Sequence, residues 1–126
     1  MVKMKRVYEA SGRSDGERIL VDRLWPRGLT KRAAAVDQWR KELGPSHELR
    51  KWFGHDPARW TEFRRRYLAE LKSERDTLAA IARKAATRRV TLVFGAHDAA
   101  HSNAAVLKGV IERMAKRKAG GKRRAA

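Results

Sequence analysis

Two short apolar runs constrain the fold of this 126-residue chain more than any other feature. The first is Ile19 to Val21, within the segment Arg18 to Asp22, and the second is Val90 to Phe94. Successive side chains of a strand point to opposite faces, so a continuous apolar run predicts a strand that is buried on both faces. Helical patterns separate the two runs. The chain is therefore predicted to be a small single α/β domain with a central, mainly parallel sheet flanked by helices.

Capping residues and turn residues divide the remaining chain into helices. The predicted helices run from Thr30 to about Glu42, from Ser46 through Phe53, from Asp56-Pro57 onward, from about Glu74 to Ala86, and from about Asn103. Ser73 followed by Asp76 resembles a capping arrangement, although one longer kinked helix would fit the same pattern. A short first strand is predicted at Lys5 to Tyr8, and Trp39 is placed near the apolar face of the first helix.

Charged and aromatic residues follow both predicted strands at the point where each ends. Asp22, Arg23, Trp25 and Arg27 come after the first strand, and a loop with His97, Asp98 and His101 comes after the second. If the two strands are parallel neighbours, their carboxyl ends lie at the same edge of the sheet, where ligands usually bind in open α/β sheets. The two loops are therefore expected to converge on one polar pocket.

The residue types in these loops suit an anionic ligand. An arginine fork binds phosphate or carboxylate through two hydrogen bonds, a tryptophan stacks on a base or sugar, and a helix N-terminus attracts negative charge. The predicted site is of an anion or nucleotide type, for a phosphorylated or nucleotide-like small molecule. Its predicted ligand-binding residues are Arg23, Trp25, Arg27, His97 and Asn103.

Catalysis at this site is left open by the sequence. General acid–base chemistry would use the carboxylates and the histidine, so the candidate catalytic residues are Asp22, Asp98 and His101. In the competing structural interpretation, Asp22 pairs with Arg23, Arg27 or Arg18 to brace the loop, and Trp25 fills the core. No metal site is predicted, because His97, Asp98 and His101 lack further ligands at a recognisable spacing. No cofactor is predicted either, because the sequence has no glycine-rich phosphate loop or dinucleotide fingerprint.

Motifs along the chain resemble those of one protein family. The most specific is the run Asp-Arg-Leu-Trp-Pro-Arg-Gly from Asp22 to Gly28; the others are Pro45-Ser46, Leu49 to Phe53, His55-Asp56-Pro57, Phe63 with Arg66-Tyr67 and Glu70-Leu71, and Thr91 to Phe94 followed by Asp98 and His101. They resemble the YeaO-like family of uncharacterised prokaryotic proteins, domain of unknown function 488. The resemblance implies a compact α/β fold and supplies no established activity. The chain departs from the family pattern at His97 and Ser102, where the family often has arginine and asparagine.

The charge of the chain suggests a second class of partner. The formal net charge is +17, and the last seven of the 31 basic residues follow Glu112. The preceding 24 basic and 14 acidic residues still leave +10 on the body. Such a field attracts polyanions, so the alternative function is non-specific nucleic-acid binding through the basic surface, including Arg64 to Arg66, and a C-terminal tail.

The C-terminal tail is predicted to be disordered, because its composition offers little apolar surface to bury. The predicted division is a domain at 1–115 and a tail at 116–126. The tail residues expected to contact nucleic acid are Lys116, Arg117, Lys118, Lys122, Arg123 and Arg124. The absence of cysteine excludes disulfides. No segment has the length of a membrane span or the pattern of a signal peptide, so a cytoplasmic protein without a membrane partner is expected. The oligomeric state is not predicted.

Overall fold

Four parallel strands form the central sheet of the computed structural model, which describes the backbone of residues 1–125 and the side chains of residues 1–117. The strands are β1 (Val2–Arg6), β2 (Glu17–Leu20), β3 (Gln38–Trp39) and β4 (Val90–Phe94). Their order in the sheet is β1-β4-β2-β3, and every neighbouring pair is parallel. Ile19 of β2 lies opposite Leu92 of β4. The predicted parallel pairing of the two apolar strands is confirmed.

Within the described backbone, five α-helices connect and cover these strands. They are α1 (Lys31–Ala34), α2 (His47–Phe53), α3 (Trp60–Glu70), α4 (Arg75–Thr87) and α5 (Asn103–Ala125). Three of the predicted caps are present: the Thr30 hydroxyl accepts a hydrogen bond from the Ala33 N–H, the Ser46 hydroxyl accepts one from the Leu49 N–H, and the Asp56 carboxylate accepts one from the Ala58 N–H. Asp56 caps a 3-10 turn, Pro57–Arg59, that leads directly into α3.

The helix predicted from Thr30 to Glu42 is wrong beyond its first turn. Thr30 does cap α1, but the helix stops at Ala35, which adopts a left-handed conformation with φ of 51°. The following residues form β3 on the open edge of β2, and Trp39 is 39% exposed instead of facing the core. The edge of β2 offers unpaired backbone donors and acceptors, and satisfying them outweighed the helical pattern of the segment.

Two further boundaries differ from the prediction. The first strand lies at Val2–Arg6, earlier than Lys5 to Tyr8. Between α3 and α4 a 3-10 turn spans Leu71–Glu74, and the Ser73 hydroxyl donates to the Glu70 carbonyl instead of capping the next helix. The predicted boundary near Glu74 is therefore correct, but the predicted capping interaction is not what forms it.

The sheet buries both of its faces, as the consecutive apolar residues predicted. Ile19, Val21 and Leu92 point into the larger core, which α2 to α5 cover, whereas Leu20 and Val93 point into a smaller core covered by α1 and the loop that precedes it. All five side chains are fully buried. The polar loops that follow β2 and β4 therefore start from strands that are fixed on both sides.

The last helix reaches the C-terminal segment. α5 extends to Ala125, so the backbone of residues 116–125 continues the helix. The division into a domain at 1–115 and a tail at 116–126 stays a prediction. Of the tail residues named above, Lys118, Lys122, Arg123 and Arg124 have side chains outside the described residues. No helix in the described part of the chain is both long and apolar enough to cross a membrane.

Candidate functional site

A cleft of about 950 Å³ lies where β2 and β4 end. The loops after these strands line it, together with residues of α2 and the start of α5. Every residue predicted for the site from the two loops lines this cleft: Asp22, Arg23, Trp25, Arg27, His97, Asp98, His101 and Asn103. The expected convergence of the loops is thus present in the structure, because β2 and β4 are adjacent and parallel. The chemical role of each residue stays a prediction.

Asp22 is held at the inner end of the cleft by the backbone of the other loop. Its Oδ2 accepts a hydrogen bond of 2.8 Å from the Gly95 N–H. A Cβ atom on Gly95 would lie 3.3 Å from that oxygen, so glycine permits the close approach. Burial raises the pKa of Asp22, while the Gly95 N–H, the Asn103 side chain and the charge of Arg50 oppose the rise.

The structural interpretation of Asp22 is only partly supported. Within the described residues Asp22 forms no ion pair with Arg18, Arg23 or Arg27. Arg18 is instead paired with Asp15 at 2.7 Å. Asp22 does brace the site, but it does so through a backbone N–H, and its carboxyl group still lines the cleft.

Asn103 connects the start of α5 to the end of β2. Its Nδ2 donates to the Val21 carbonyl at 2.9 Å, and its side chain lies beside both Asp22 and the Tyr67 hydroxyl. Tyr67 is fully buried and donates to the Leu43 carbonyl, and burial raises its pKa well above the ordinary value. These buried polar groups beneath the cleft keep the Asn103 side chain oriented. The predicted ligand contact of Asn103 would have to use hydrogen-bonding positions of its amide that these groups do not occupy.

Arg23 uses most of its guanidinium inside the protein. Nε donates to the Pro45 carbonyl at 2.9 Å and Nη2 donates to the Gly44 carbonyl at 2.8 Å. Sequence reasoning expected this fork to face an anion, whereas the structure uses it to attach the loop after β2 to the segment before α2. A ligand contact by Arg23 stays a prediction, and it would require a change in these hydrogen bonds.

Trp25 lies between the cleft and the smaller core. Its Nε1 donates to the Leu29 carbonyl at 2.6 Å, and its ring packs edge-on against Trp39 with the centroids 5.4 Å apart. The residue lines the cleft while packing against the smaller core. Both interpretations made from the sequence, a stacking wall and a core filler, therefore describe part of its position.

The free cations of the cleft come from both the loop and α2. Arg27 is exposed at the rim, and α2 contributes the half-buried Arg50 and the exposed Lys51. None of the three forms an ion pair within the described residues. The sequence prediction missed Arg50 and Lys51, although both stand inside the motif from Leu49 to Phe53. They differ from ordinary surface charges because they line the cleft, and only the tertiary arrangement shows this.

Histidines add to the polar lining. Asp98 and His101 form a pair on the second loop, with the His101 Nδ1 and the Asp98 Oδ2 separated by 2.6 Å. The hydrogen bond from His101 lowers the pKa of Asp98, and the His101 ring packs edge-on against Trp60 at 5.1 Å. His97, His47 and His55 also line the cleft.

The cleft is lined by charged side chains that can bind ions and by carboxyl and imidazole groups that can exchange protons. Within the described residues no hydroxyl group hydrogen-bonds to His101, and the chain has no cysteine thiol that could act as a nucleophile. No cluster of three or more metal-ligating side chains occurs among residues whose side chains are described. What the cleft does offer is unpaired positive charge, an aromatic wall and two carboxyl groups.

Replacing Asp22 by asparagine is expected to stabilise the protein at neutral pH by about 0.5–2 kcal/mol. Asparagine keeps an oxygen that accepts the Gly95 N–H bond but removes a buried negative charge. Because the pKa of Asp22 is raised in the folded state, the wild-type carboxylate destabilises the native state above that pKa. The difference from the variant should vanish as pH falls through it. Urea unfolding at several pH values measures this, and a destabilised D22N variant at pH 7 would contradict it.

Comparison with known proteins places the chain among uncharacterised relatives. A family model described as "Inactive DUF488-N3 subclade" matches residues 1–126. The chain is 46% identical over 109 residues to the uncharacterised protein YeaO of Escherichia coli, covering 84% of this chain and 92% of that protein. It is 42% identical over 110 residues to the uncharacterised proteins Mb3100c of Mycobacterium bovis and Rv3073c of Mycobacterium tuberculosis, covering 87% of this chain and 92% of each. No solved structure matches the chain.

Proposed function

The chain belongs to the YeaO-like family, in the subclade described as inactive DUF488-N3, and we propose that its cleft binds a small phosphorylated or nucleotide-like anion without transforming it. The observation that carries this proposal is the presence of Arg27, Arg50 and Lys51 around one cleft, where none of them has an ion-pair partner among the side chains that the structure describes. Unpaired cations that share a partly enclosed pocket favour the entry of a negative ligand.

The N-terminus of α5 supports the same ligand charge. Ser102 caps this helix, its hydroxyl accepting from the Ala105 N–H at 3.2 Å, and both Ser102 and Asn103 line the cleft. The positive end of the helix dipole therefore faces the same space as the free cations. A phosphate group would interact with both at once.

The two carboxyl groups in the cleft favour a ligand that carries hydrogen-bond donors as well as a phosphate. Asp22 and Asp98 would repel a bare anion but accept hydrogen bonds from hydroxyl or amino groups. The partly buried Trp25 adds an apolar ring face beside them. A compound that carries both a phosphate and hydroxyl donors, such as a nucleoside monophosphate or a sugar phosphate, would satisfy cations and carboxylates together. Inorganic phosphate would satisfy only the cations.

Binding without turnover is supported by two observations. The matching family is described as inactive, and the chain departs from the YeaO-like pattern at His97 and Ser102, which flank the segment containing Asp98 and His101. In addition, Asp98 is exposed, and within the described residues no hydroxyl group hydrogen-bonds to His101, since the neighbouring Ser102 hydroxyl donates to the Ala99 carbonyl at 2.7 Å. These residues would therefore position a ligand.

Calorimetric titration with adenosine monophosphate, ribose 5-phosphate, inorganic phosphate and adenosine tests the proposal. We expect the two organic phosphates to bind more tightly than inorganic phosphate, and adenosine to bind weakest. Arg27→Gln and Arg50→Gln should each weaken adenosine monophosphate binding about 10-fold or more, since a charged hydrogen bond contributes about 1.5–3 kcal/mol.

Arg64→Gln is the matched control, because Arg64 is exposed and lies outside the cleft. It should leave the affinity unchanged, and Arg27→Gln should leave the melting temperature nearly unchanged. Equal affinity for adenosine and adenosine monophosphate would reject an anion site. Consumption of either organic phosphate during prolonged incubation would reject binding without turnover.

A further inference from the structure

The edge of the sheet opposite the cleft carries a second concentration of positive charge. We call the edge where the parallel strands begin the amino edge. Three arginines lie in the segments at this edge: Arg88 and Arg89 precede β4, and Arg13 lies in the turn before β2. The Arg89 carbonyl accepts from the Glu17 N–H at 3.1 Å, and the chain turns at Gly16 directly against it. The backbone contacts thus bring the two segments together.

All three arginine side chains at the amino edge are exposed. None forms an ion pair or a side-chain hydrogen bond within the described residues. The N-terminal amino group lies at the same edge, where it hydrogen-bonds to the carbonyls of Ala85 and Arg88. This edge therefore presents positive charge to solvent.

The acidic residues nearby are already neutralised or occupied. Asp15 pairs with Arg18 and Lys5 and is buried, and Glu17 pairs with Lys84 at 2.9 Å. Asp37 accepts the Arg18 N–H at 2.8 Å. Internal partners thus hold the negative charges of this edge, whereas its arginines face outward.

The last helix extends this surface beyond the sheet. α5 starts at the carboxyl edge, where Asn103 contacts Val21, and packs against β1 and β4. Its 23 residues are about 34 Å long at 1.5 Å per residue, whereas a five-residue strand is about 17 Å long. The helix therefore passes the amino edge after its last core contacts, at Met114 and Ala115. Lys116 and Arg117 come next and are exposed.

From this geometry we infer that the amino edge and the adjoining part of α5 form a phosphate-backbone contact surface for duplex nucleic acid. The contact residues in the described part of the chain are Arg13, Arg88, Arg89, Lys116 and Arg117. Exposed cations without internal partners can neutralise the phosphates of a duplex, and such contacts carry no base preference. This surface is separate from the cleft, which lies at the other edge of the sheet.

Two alternatives fit the molecule less well. Two of the three arginines from Arg64 to Arg66 already have partners within the protein. Arg65 and Arg66 both contact Glu62 at 2.7 Å, and Arg66 lies over the Trp52 ring at 4.3 Å. A membrane surface would require large apolar side chains beside the cations. Of the exposed large apolar residues among those with described side chains, Tyr8, Leu24 and Trp39 flank the cleft side of the sheet and only Met1 lies at the amino edge.

The test compares two variants that lose equal charge. The amino-edge variant carries Arg13→Gln, Arg88→Gln and Arg89→Gln, and the control carries Arg64→Gln, Lys72→Gln and Arg75→Gln, which are exposed residues on α3, the following turn and α4. Fluorescence anisotropy measures the binding of the full chain to two duplex DNAs of unrelated sequence between 50 and 300 mM salt. Truncation after Ala115, which retains the core residue Met114, is a third variant.

Each lost phosphate contact should reduce the slope of log affinity against log salt by about 0.9. We expect the amino-edge variant to lose about 2 to 3 from the slope and at least about 10-fold in affinity, and the control to change little. Truncation should reduce affinity and slope as well, and both duplexes should give the same result. Equal losses in the amino-edge variant and the control would reject a defined surface in favour of net charge alone.

Other outcomes also decide the question. If the amino-edge variant binds like wild type while truncation abolishes binding, the contact lies in the C-terminal segment only and the inference is wrong. Failure of the wild-type protein to bind either duplex, or a strong preference for one, also overturns it. Acetylation footprinting of the wild-type protein guards against a folding defect in the variants: DNA should protect Lys116 and leave Lys72 reactive. Reactivity of Lys116 that is unchanged by DNA counts against the surface.

Discussion

Replacing Asp15 by asparagine is expected to lower the free energy of unfolding by about 3–5 kcal/mol at pH 7. Asp15 and Arg18 form an ion pair at 2.7 Å in which both residues are at least 96% buried. The Arg18 guanidinium also donates to the carbonyls of Ala34 and Ala35. Removing the carboxylate leaves a buried arginine with no countercharge, and this is the more costly half of such a change.

The effect of this substitution should depend on pH in a defined direction. Burial alone would raise the pKa of Asp15, but hydrogen bonds from the Gly12 N–H, Arg18 and Lys5 hold the pKa below its ordinary value of 3.8. The stabilisation is therefore present at neutral pH and is lost as pH falls through the lowered pKa. Urea unfolding of wild type and variant should give curves that approach each other only below about pH 4.

Glu62→Gln provides the contrasting control. Hydrogen bonds from Arg65 and Arg66 lower the pKa of Glu62 to about 2. The three side chains are between 37% and 70% exposed, so solvent screens the interaction and little stability should depend on it. A loss for Asp15→Asn no larger than the loss for Glu62→Gln would show that the buried pair does not hold β2 in place.

Replacing Gly44 by alanine is expected to destabilise the protein by about 1–3 kcal/mol and to weaken anion binding at the same time. A Cβ atom on Gly44 would lie 2.5 Å from the Arg23 backbone nitrogen, a contact that forces the backbone to move. Gly44 has φ of −75°, which alanine adopts freely, so the cost is steric. Arg23 begins the loop that carries Trp25 and Arg27 into the cleft.

Gly12→Ala is the matched control for this prediction. A Cβ atom on Gly12 would meet nothing within 4 Å, and φ is −146°, so stability should stay within about 0.5 kcal/mol of wild type. Calorimetry with adenosine monophosphate and urea unfolding measure both effects. A Gly44→Ala variant with lower stability but unchanged affinity would separate the packing of Arg23 from the proposed site.

Much of the fold and part of the site followed from local signals. The apolar segments around Ile19 and Leu92 indicated buried strands, Ser46 and Asp56 marked the starts of helical segments, and the polar residues after each strand indicated one shared edge. These signals can be recognised in the sequence because apolar runs and capping residues are patterns of neighbouring residues. Parallel pairing then brings loops that are far apart in sequence to the same edge.

Other features depended on partners that are distant in sequence. Trp39 belongs to a helical pattern, yet it entered a strand because the edge of β2 was available to pair with it. Arg23 and Arg50 have the same side chain, but only the structure shows that they are used differently. Arg23 donates to the carbonyls of Gly44 and Pro45, whereas Arg50 lies close enough to Asp22 to influence its pKa and forms no ion pair with any described side chain. The sequence shows only that each of these residues carries a positively charged guanidinium group with several hydrogen-bond donors.

The sequence by itself determined the apolar segments that form the two buried strands, the residues at which helices begin, and the strongly basic charge. Apolar runs and caps are patterns of neighbouring residues, and net charge is a sum over the chain. Tertiary structure decided which cations are free. Arg18 is neutralised by Asp15, and Arg66 is shared between Glu62 and Trp52, whereas Arg27 and Arg89 have no ion-pair partner in the described part of the chain. Pairing depends on side chains meeting within a few ångströms, and only the folded arrangement of the strands and helices sets those distances.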